Sequence, residues 1–228
     1  MRIVFVRHGH PDYVHDCLTP LGHQHAAAAA LRLQDEGITA IYSSTCGRAV
    51  ETAQHIASRH NLPVESFDFI REIKWWSLDG EPLEQNGHPW FVVNDMVSNG
   101  EDIRSENWMN EPRFSNNGVK FLVQNIGNQF DKLLCELGFV REGDYYRVTR
   151  KNSETVAMVS HGGASSAVLA HLFNLSFPFL CGCLRPNFTA ITVVTMGGEE
   201  GDLITPRFEI ANDARHIKDI PLETVFGT

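Results

Sequence analysis

The chain has 228 residues, 43% hydrophobic and 21% charged, enough for one α/β domain with a sizeable core and too few for two catalytic domains with a linker. Its 28 acidic against 19 basic residues leave a formal charge of −9, which argues against a nucleic-acid or anionic-membrane partner, because both reward a basic face. No run of about 18 apolar residues could cross a bilayer, and no secretory leader pattern precedes Arg7, so the expected location is the cytoplasm. The five cysteines (Cys17, Cys46, Cys135, Cys181, Cys183) lack the paired spacing of a disulfide framework or a structural zinc site. Any anionic substrate must then be caught by a locally positive pocket.

Residues 2–6 are nearly all apolar, β-branched or aromatic after Arg2, and end abruptly in Arg7 and His8, as a strand buried on both faces does. Thr19 and Pro20 supply an N-cap and a first helical residue, and the alanine run continues a helix to about Gly37. A strand follows over 39–43, a helix over 47–60 ended by Asn61 and Pro63, and extended chain over 64–69. The longest helical period spans 115–138, with Ser115 as a possible cap and Gly138 at C′. Residues 145–148 are expected to pair as a hairpin with a strand over 155–160, before a helix near Gly162 and late strands over 189–195 and 207–210. Between about residues 73 and 113 the regularity lapses while all four tryptophans (Trp75, Trp76, Trp90, Trp108) occur, which reads as an inserted aromatic cap. Alternating strands and helices predict a three-layer α/β/α sandwich on a mostly parallel six-stranded sheet, in one domain over 1–228.

In such a sheet ligands bind beyond the carboxyl ends of the strands. Arg7 and His8 leave the first strand there, Arg48 opens the helix after the second, and His161 follows the apolar strand that ends at Ser160. Glu72 follows the 64–69 segment. Two histidines, two arginines and one carboxylate on one rim suit phosphoryl transfer, since arginine forks match phosphate oxygens. Gly9, Gly162 and Gly163 would let backbone N–H groups approach, with the helix near Gly162 aimed at the same anion.

The residues also resemble a known family. Arg7-His8-Gly9 after an apolar strand looks like the RHG signature of the histidine phosphatase superfamily, also called phosphoglycerate mutase-like. Leu18-Thr19-Pro20-Leu21-Gly22, the stretch from Ser43 through Arg48 to Thr52-Ala53, Arg71-Glu72-Ile73 and Ser160-His161-Gly162-Gly163 are similar to its further signatures. The resemblance implies a phosphoglycerate mutase-like fold and a metal-independent attack by His8 on phosphorus through a phosphohistidine, without a cofactor. It implies that Arg7, Arg48 and a protonated His161 hold the equatorial oxygens and that Glu72 serves as acid and then base, with Asp79 and Glu81 as alternatives. Gly9, His10, Gly162 and Trp75 are expected to touch a small phosphorylated metabolite.

The 73–113 segment carries only Lys74, Arg104 and Arg113 and no adjacent arginine pair, which favours a phosphatase over phosphoglycerate mutase-type transfer. Metal-dependent hydrolysis is an alternative, because His8-Gly9-His10 with Asp12, His15 and Asp16 could share an ion; against it, Arg7 would put a cation beside the metal. A catalytically inactive module that only binds phosphorylated ligands is the third. His55, His60, His88, His171 and His216 read as structural.

Overall fold

The computed structural model describes residues 1–220. In chain order the elements are β1 (Arg2–Arg7), β2 (Pro11–Asp12), β3 (Cys17–Leu18), α1 (Pro20–Leu33), β4 (Ala40–Ser44), α2 (Gly47–His60), β5 (Val64–Phe67), α3 (Pro89–Ser98), α4 (Pro112–Ser115) and α5 (Val119–Glu136). There follow β6 (Phe139–Glu142), β7 (Tyr145–Val148), β8 (Thr155–Ser160), α6 (Gly162–Phe173), α7 (Phe177–Cys183), β9 (Ile191–Thr195), β10 (Leu203–Ile204) and β11 (Arg207–Asp213). The main sheet has six strands in the order β11-β9-β1-β8-β4-β5. β8 pairs in parallel with both β1 and β4, and β4 with β5, whereas β9 runs against both β1 and β11.

Alternation along the central strands sends side chains to two cores. Val4, Val6, Ala157 and Val159 pack with Ala30 and Leu33 of α1 and Ala49, Ala53 and Ile56 of α2. Ile3, Phe5, Val156 and Met158 face the other way, onto α5 and α6. The result is the expected three-layer sandwich on a mostly parallel sheet. All six residues of β8 are buried, as a strand covered by helices on both faces requires.

Four expectations need correction. Residues 145–148 do not pair with 155–160: β7 pairs with β6 and β10 in a separate three-stranded sheet. The two-residue loop Gly143-Asp144, with Gly143 at φ +62, closes that hairpin, and glycine at the first loop position is a hairpin signal in its own right. The first helix stops at Leu33 rather than near Gly37. The long helix begins at Val119, not Ser115, which ends the short α4; Gly118 stands at its N-cap and Asn117 Oδ1 accepts the Val119 N–H (3.0 Å). The 73–113 segment is not irregular throughout. It contains α3, whose Val92, Val93 and Met96 join Trp108, Phe114 and the α5–α6 side of the core. Gly138 does follow α5 in the left-handed region, at φ +95. No helix among the described residues is long and apolar enough to cross a membrane.

Candidate active site

The parallel register sets Arg7 opposite Ser160, so the next residues, His8 and His161, leave neighbouring strands side by side. The ladder runs on one step, the His8 N–H donating to Ser160 O (2.9 Å). The two imidazole centroids lie 5.1 Å apart at 61°. Ser44 ends β4 on the other flank of β8, and its Oγ sits 2.8 Å from His161 Nε2. Arg48 reaches back from the first turn of α2, 8% exposed, donating from Nη2 to His161 Nδ1 (3.1 Å) and from Nε toward His8 Nε2 (3.4 Å). Its Nη1 pairs with Asp16, whose other oxygen accepts the Gly47 N–H (2.9 Å).

These bonds assign the tautomers. His8 Nδ1 lies 2.7 Å from Gly9 O, an acceptor only, so the proton is on Nδ1 and the Nε2 lone pair faces the cluster. His161 receives Arg48 on Nδ1 and therefore carries its proton on Nε2, toward Ser44. Burial first, then His161 and Arg7, push the His8 imidazole well below the ordinary value of 6.5. Burial, Arg48 and Arg7 do the same to His161. Burial and the two arginines thus favour the neutral His161 ring, whereas a phosphate dianion beside it would favour the protonated one.

Arg7 donates from Nη1 to Pro186 O (2.7 Å) and lies over the Phe188 ring, 4.4 Å from its centroid. Glu72 Oε1 accepts the N–H groups of Ile73 (3.0 Å) and Gly163 (3.2 Å). Burial outweighs these bonds and the pull of Arg7 and Arg48, and raises the Glu72 carboxyl above 4.5. The start of α6 is thus partly occupied by a carboxylate of the chain itself. Asp79 and Glu81 are exposed, and Asp79 is spent on a turn with Ser77 and Asn116; Glu72 alone of the three borders the arginines.

The expected substrate contacts fare less well. The Gly9 N–H is engaged by Thr52 Oγ1 (3.1 Å), and a Cβ there would stand 2.5 Å from Gly22 O, so this glycine serves packing against α1. His10 sits 2.9 Å from Thr19 Oγ1 and edge-on to Phe188, and Trp75 packs on His88 (5.7 Å); neither lines the opening at Arg7. Gly162 is left bare for Trp90, whose ring would lie 2.9 Å from a Cβ there. A cavity of about 290 Å³ opens beside Arg7, lined also by His88, Trp90, Phe91, Arg185, Pro186 and Asn187. Larger cavities of about 480 and 560 Å³ touch none of the cluster. Sequence reasoning missed Arg185, Phe188 and the Asp16–Arg48 pair, read His88 as structural, and named Trp90 only as one of the four cap tryptophans; Ser44 lay within a quoted motif.

The proposed metal ligands are separately engaged: Asp12 with His15 (2.7 Å), Asp16 with Arg48, His8 with Gly9 O. Among the described residues no group of three or more His, Cys, Asp or Glu gathers as a metal site.

The family model of the histidine phosphatase superfamily (branch 1) matches residues 3–103, a stretch that carries Arg7, His8, Arg48 and Glu72. Over those residues the chain is similar to the histidine phosphatase superfamily. It is 25% identical, across 90% of its length and 89% of the relative's, to a 2,3-bisphosphoglycerate-dependent phosphoglycerate mutase of Corynebacterium diphtheriae. Its fold is similar to that of Entamoeba histolytica phosphoserine phosphatase bound to 3-phosphoglyceric acid (TM-score 0.61, 20% identity, 95% of this chain and 98% of that one). It is equally similar to a mycobacterial glucosyl-3-phosphoglycerate phosphatase in complex with VO3 (TM-score 0.61, 21% identity, 92% and 98%).

Proposed function

We propose that the protein is a metal-independent phosphatase that hydrolyses a small phosphomonoester through a phosphohistidine on His8. The observation that carries this reading is the His8 Nδ1–Gly9 O bond, which leaves the Nε2 lone pair beside two arginines and His161. Nε2 attacks phosphorus as the P–O ester bond breaks, and the departing alkoxide takes the proton of Glu72. Water then attacks the phosphohistidine, Glu72 accepts its proton, and inorganic phosphate leaves. Arg7, Arg48 and His161 meet the charge on the equatorial oxygens.

Phosphoglycerate mutase-type transfer needs a second anion site in the 73–113 segment, and two of the three cations there are otherwise engaged. Arg113 is tied to Glu84, Asp95 and Glu101, and Arg104 lies over Phe179. This supports hydrolysis over transfer.

Rapid quenching with a phosphorus-labelled ester is expected to trap an acid-labile, alkali-stable phosphoprotein, and His8→Ala to lose both label and turnover. His8→Ala protein with wild-type turnover would overturn the reading.

A further inference from the structure

The cavity beside Arg7 lies between the start of α3 (His88, Trp90, Phe91) and residues 185–187. It adjoins the cluster at two points. Arg7 belongs to both, and the Trp90 ring abuts Gly162, the residue after His161. At about 290 Å³ it is at the lower end of small-molecule sites, room for one ring with a few substituents.

Three features of its lining bear on the occupant. Trp90 Nε1 and Arg7 Nε are buried donors without an acceptor, and buried His88 Nδ1 also lacks a partner. A buried donor left unpaired is destabilising, and an acceptor on a ligand would relieve that cost. The lining contains two guanidinium groups, Arg7 and Arg185, and no carboxylate. Arg185 spends Nη2 on the neutral acceptors Trp90 O (3.3 Å) and Asn94 Oδ1 (2.6 Å) and is ion-paired with no carboxylate among the described residues. Arg113, by contrast, is matched by three. The remaining walls are Trp90, Phe91 and Pro186, flat apolar surfaces against which a planar group stacks.

We propose that this cavity takes the alcohol half of the substrate and that this alcohol is planar and carboxylate-bearing, its ring against Trp90 and its carboxylate at Arg185. The inference rests on the phosphatase reading and deepens it. One anion of the substrate meets Arg7 and Arg48, and the other is read at the far wall by a cation supplied from outside the 73–113 segment.

Four esters of similar alkoxide leaving groups test it by phosphate release: benzyl phosphate, 4-carboxybenzyl phosphate, glycerol 3-phosphate and 3-phosphoglycerate. The carboxybenzyl ester is expected to exceed each of the others at least tenfold in kcat/KM. Arg185→Gln is expected to bring the ratio of carboxybenzyl to benzyl ester to about one, and Trp90→Leu to bring the ratio of benzyl to glycerol ester to about one. Arg185 is exposed, so its variant keeps the test open if Trp90→Leu does not fold. Four esters turned over equally, or an Arg185→Gln enzyme that keeps the carboxylate ratio, would overturn the inference and leave the phosphatase standing. Phosphate release from none of them would overturn both.

Discussion

Arg48 divides one guanidinium among His8, His161 and Asp16, and the protonation states around it decide how the site can work. The attack needs His8 neutral and Glu72 protonated. With ordinary values of 6.5 and 4.5 that combination would be about 1% populated, since two pKa units of the wrong order separate the groups. Burial lowers His8 and raises Glu72, and both shifts favour the productive form. The kcat/KM profile is expected to be a bell with an acidic optimum. Its acid limb falls as pH drops through the lowered His8 value, and its alkaline limb as pH rises through the raised Glu72 value. Glu72→Gln is expected to erase the alkaline limb and to slow benzyl phosphate at least tenfold more than 4-nitrophenyl phosphate, whose leaving group needs no proton; an unchanged alkaline limb would remove Glu72 from its role. Asp16 poses a different problem, because its carboxylate holds Arg48 Nη1 and the Gly47 N–H, donors that an incoming phosphate would use. A full charge about 5 Å from a phosphate oxygen opposes binding by up to about 3 kcal/mol at an effective dielectric of 20. Asp16→Asn is therefore expected to tighten orthovanadate about tenfold in a competition assay while lowering kcat through a looser Arg48; weaker vanadate binding would show that orientation of Arg48 outweighs repulsion.

The elements that place the cluster approach closely at glycines, where Cβ atoms would collide. Gly22, on the first turn of α1, would carry a Cβ 2.1 Å from His10 O. Alanine is ordinarily better than glycine inside a helix by about 1 kcal/mol, but a contact this short with backbone must be relieved by moving the Gly9–Pro11 chain, at about 1–3 kcal/mol. Gly22→Ala is expected to lower both Tm and kcat, the latter because His8 is one residue away, while Gly197→Ala, whose Cβ would meet nothing, changes neither; a Gly22→Ala protein more stable than wild type would refute this. The same locality explains what could be read in advance. Arg7, His8, Arg48 and His161 were legible because each sits at the end of an element whose pattern is plain, and parallel register does the rest. The β7 pairing was not, because Tyr145–Val148 suits either partner and only the Gly143-Asp144 turn chooses β6. α3 was hidden because Phe91, Val92, Val93, Met96 and Val97 spread apolar residues around the helix, with Phe91 and Val97 exposed. Arg185, and the place of Trp90 beside it, were not legible because their value depends on two segments meeting, which no single stretch encodes.

Across the molecule, keeping two imidazoles neutral at the centre of the sheet couples stability to pH. His8 and His161 sit well below 6.5 when folded and return to that value when the chain unfolds, so below pH 6.5 the unfolded state binds more protons. Their contribution is present above pH 6.5 and is lost as pH falls toward their folded values, by up to about 1.4 kcal/mol per pH unit for each. Burial lowers His55, His88 and His216 in the same direction. Glu72 has the opposite sign: with its value raised, its contribution is present below 4.5 and lost as pH rises through the folded value. One carboxyl cannot cancel five imidazoles. The formal charge of −9 also opposes them, since acid relieves self-repulsion, but at about 0.15 M salt exposed charges interact little beyond ~8 Å. Urea midpoints measured at that ionic strength are therefore expected to fall from pH 7.5 to 5.5. Saturating vanadate should flatten the fall, because a bound oxyanion pairs with the proton on His161 and returns in the folded state what the unfolded state would gain. Unfolding midpoints that rise over this range without ligand, or a slope that vanadate leaves unchanged, would mean that these two rings are charged in the folded protein and that the oxyanion is not held between them.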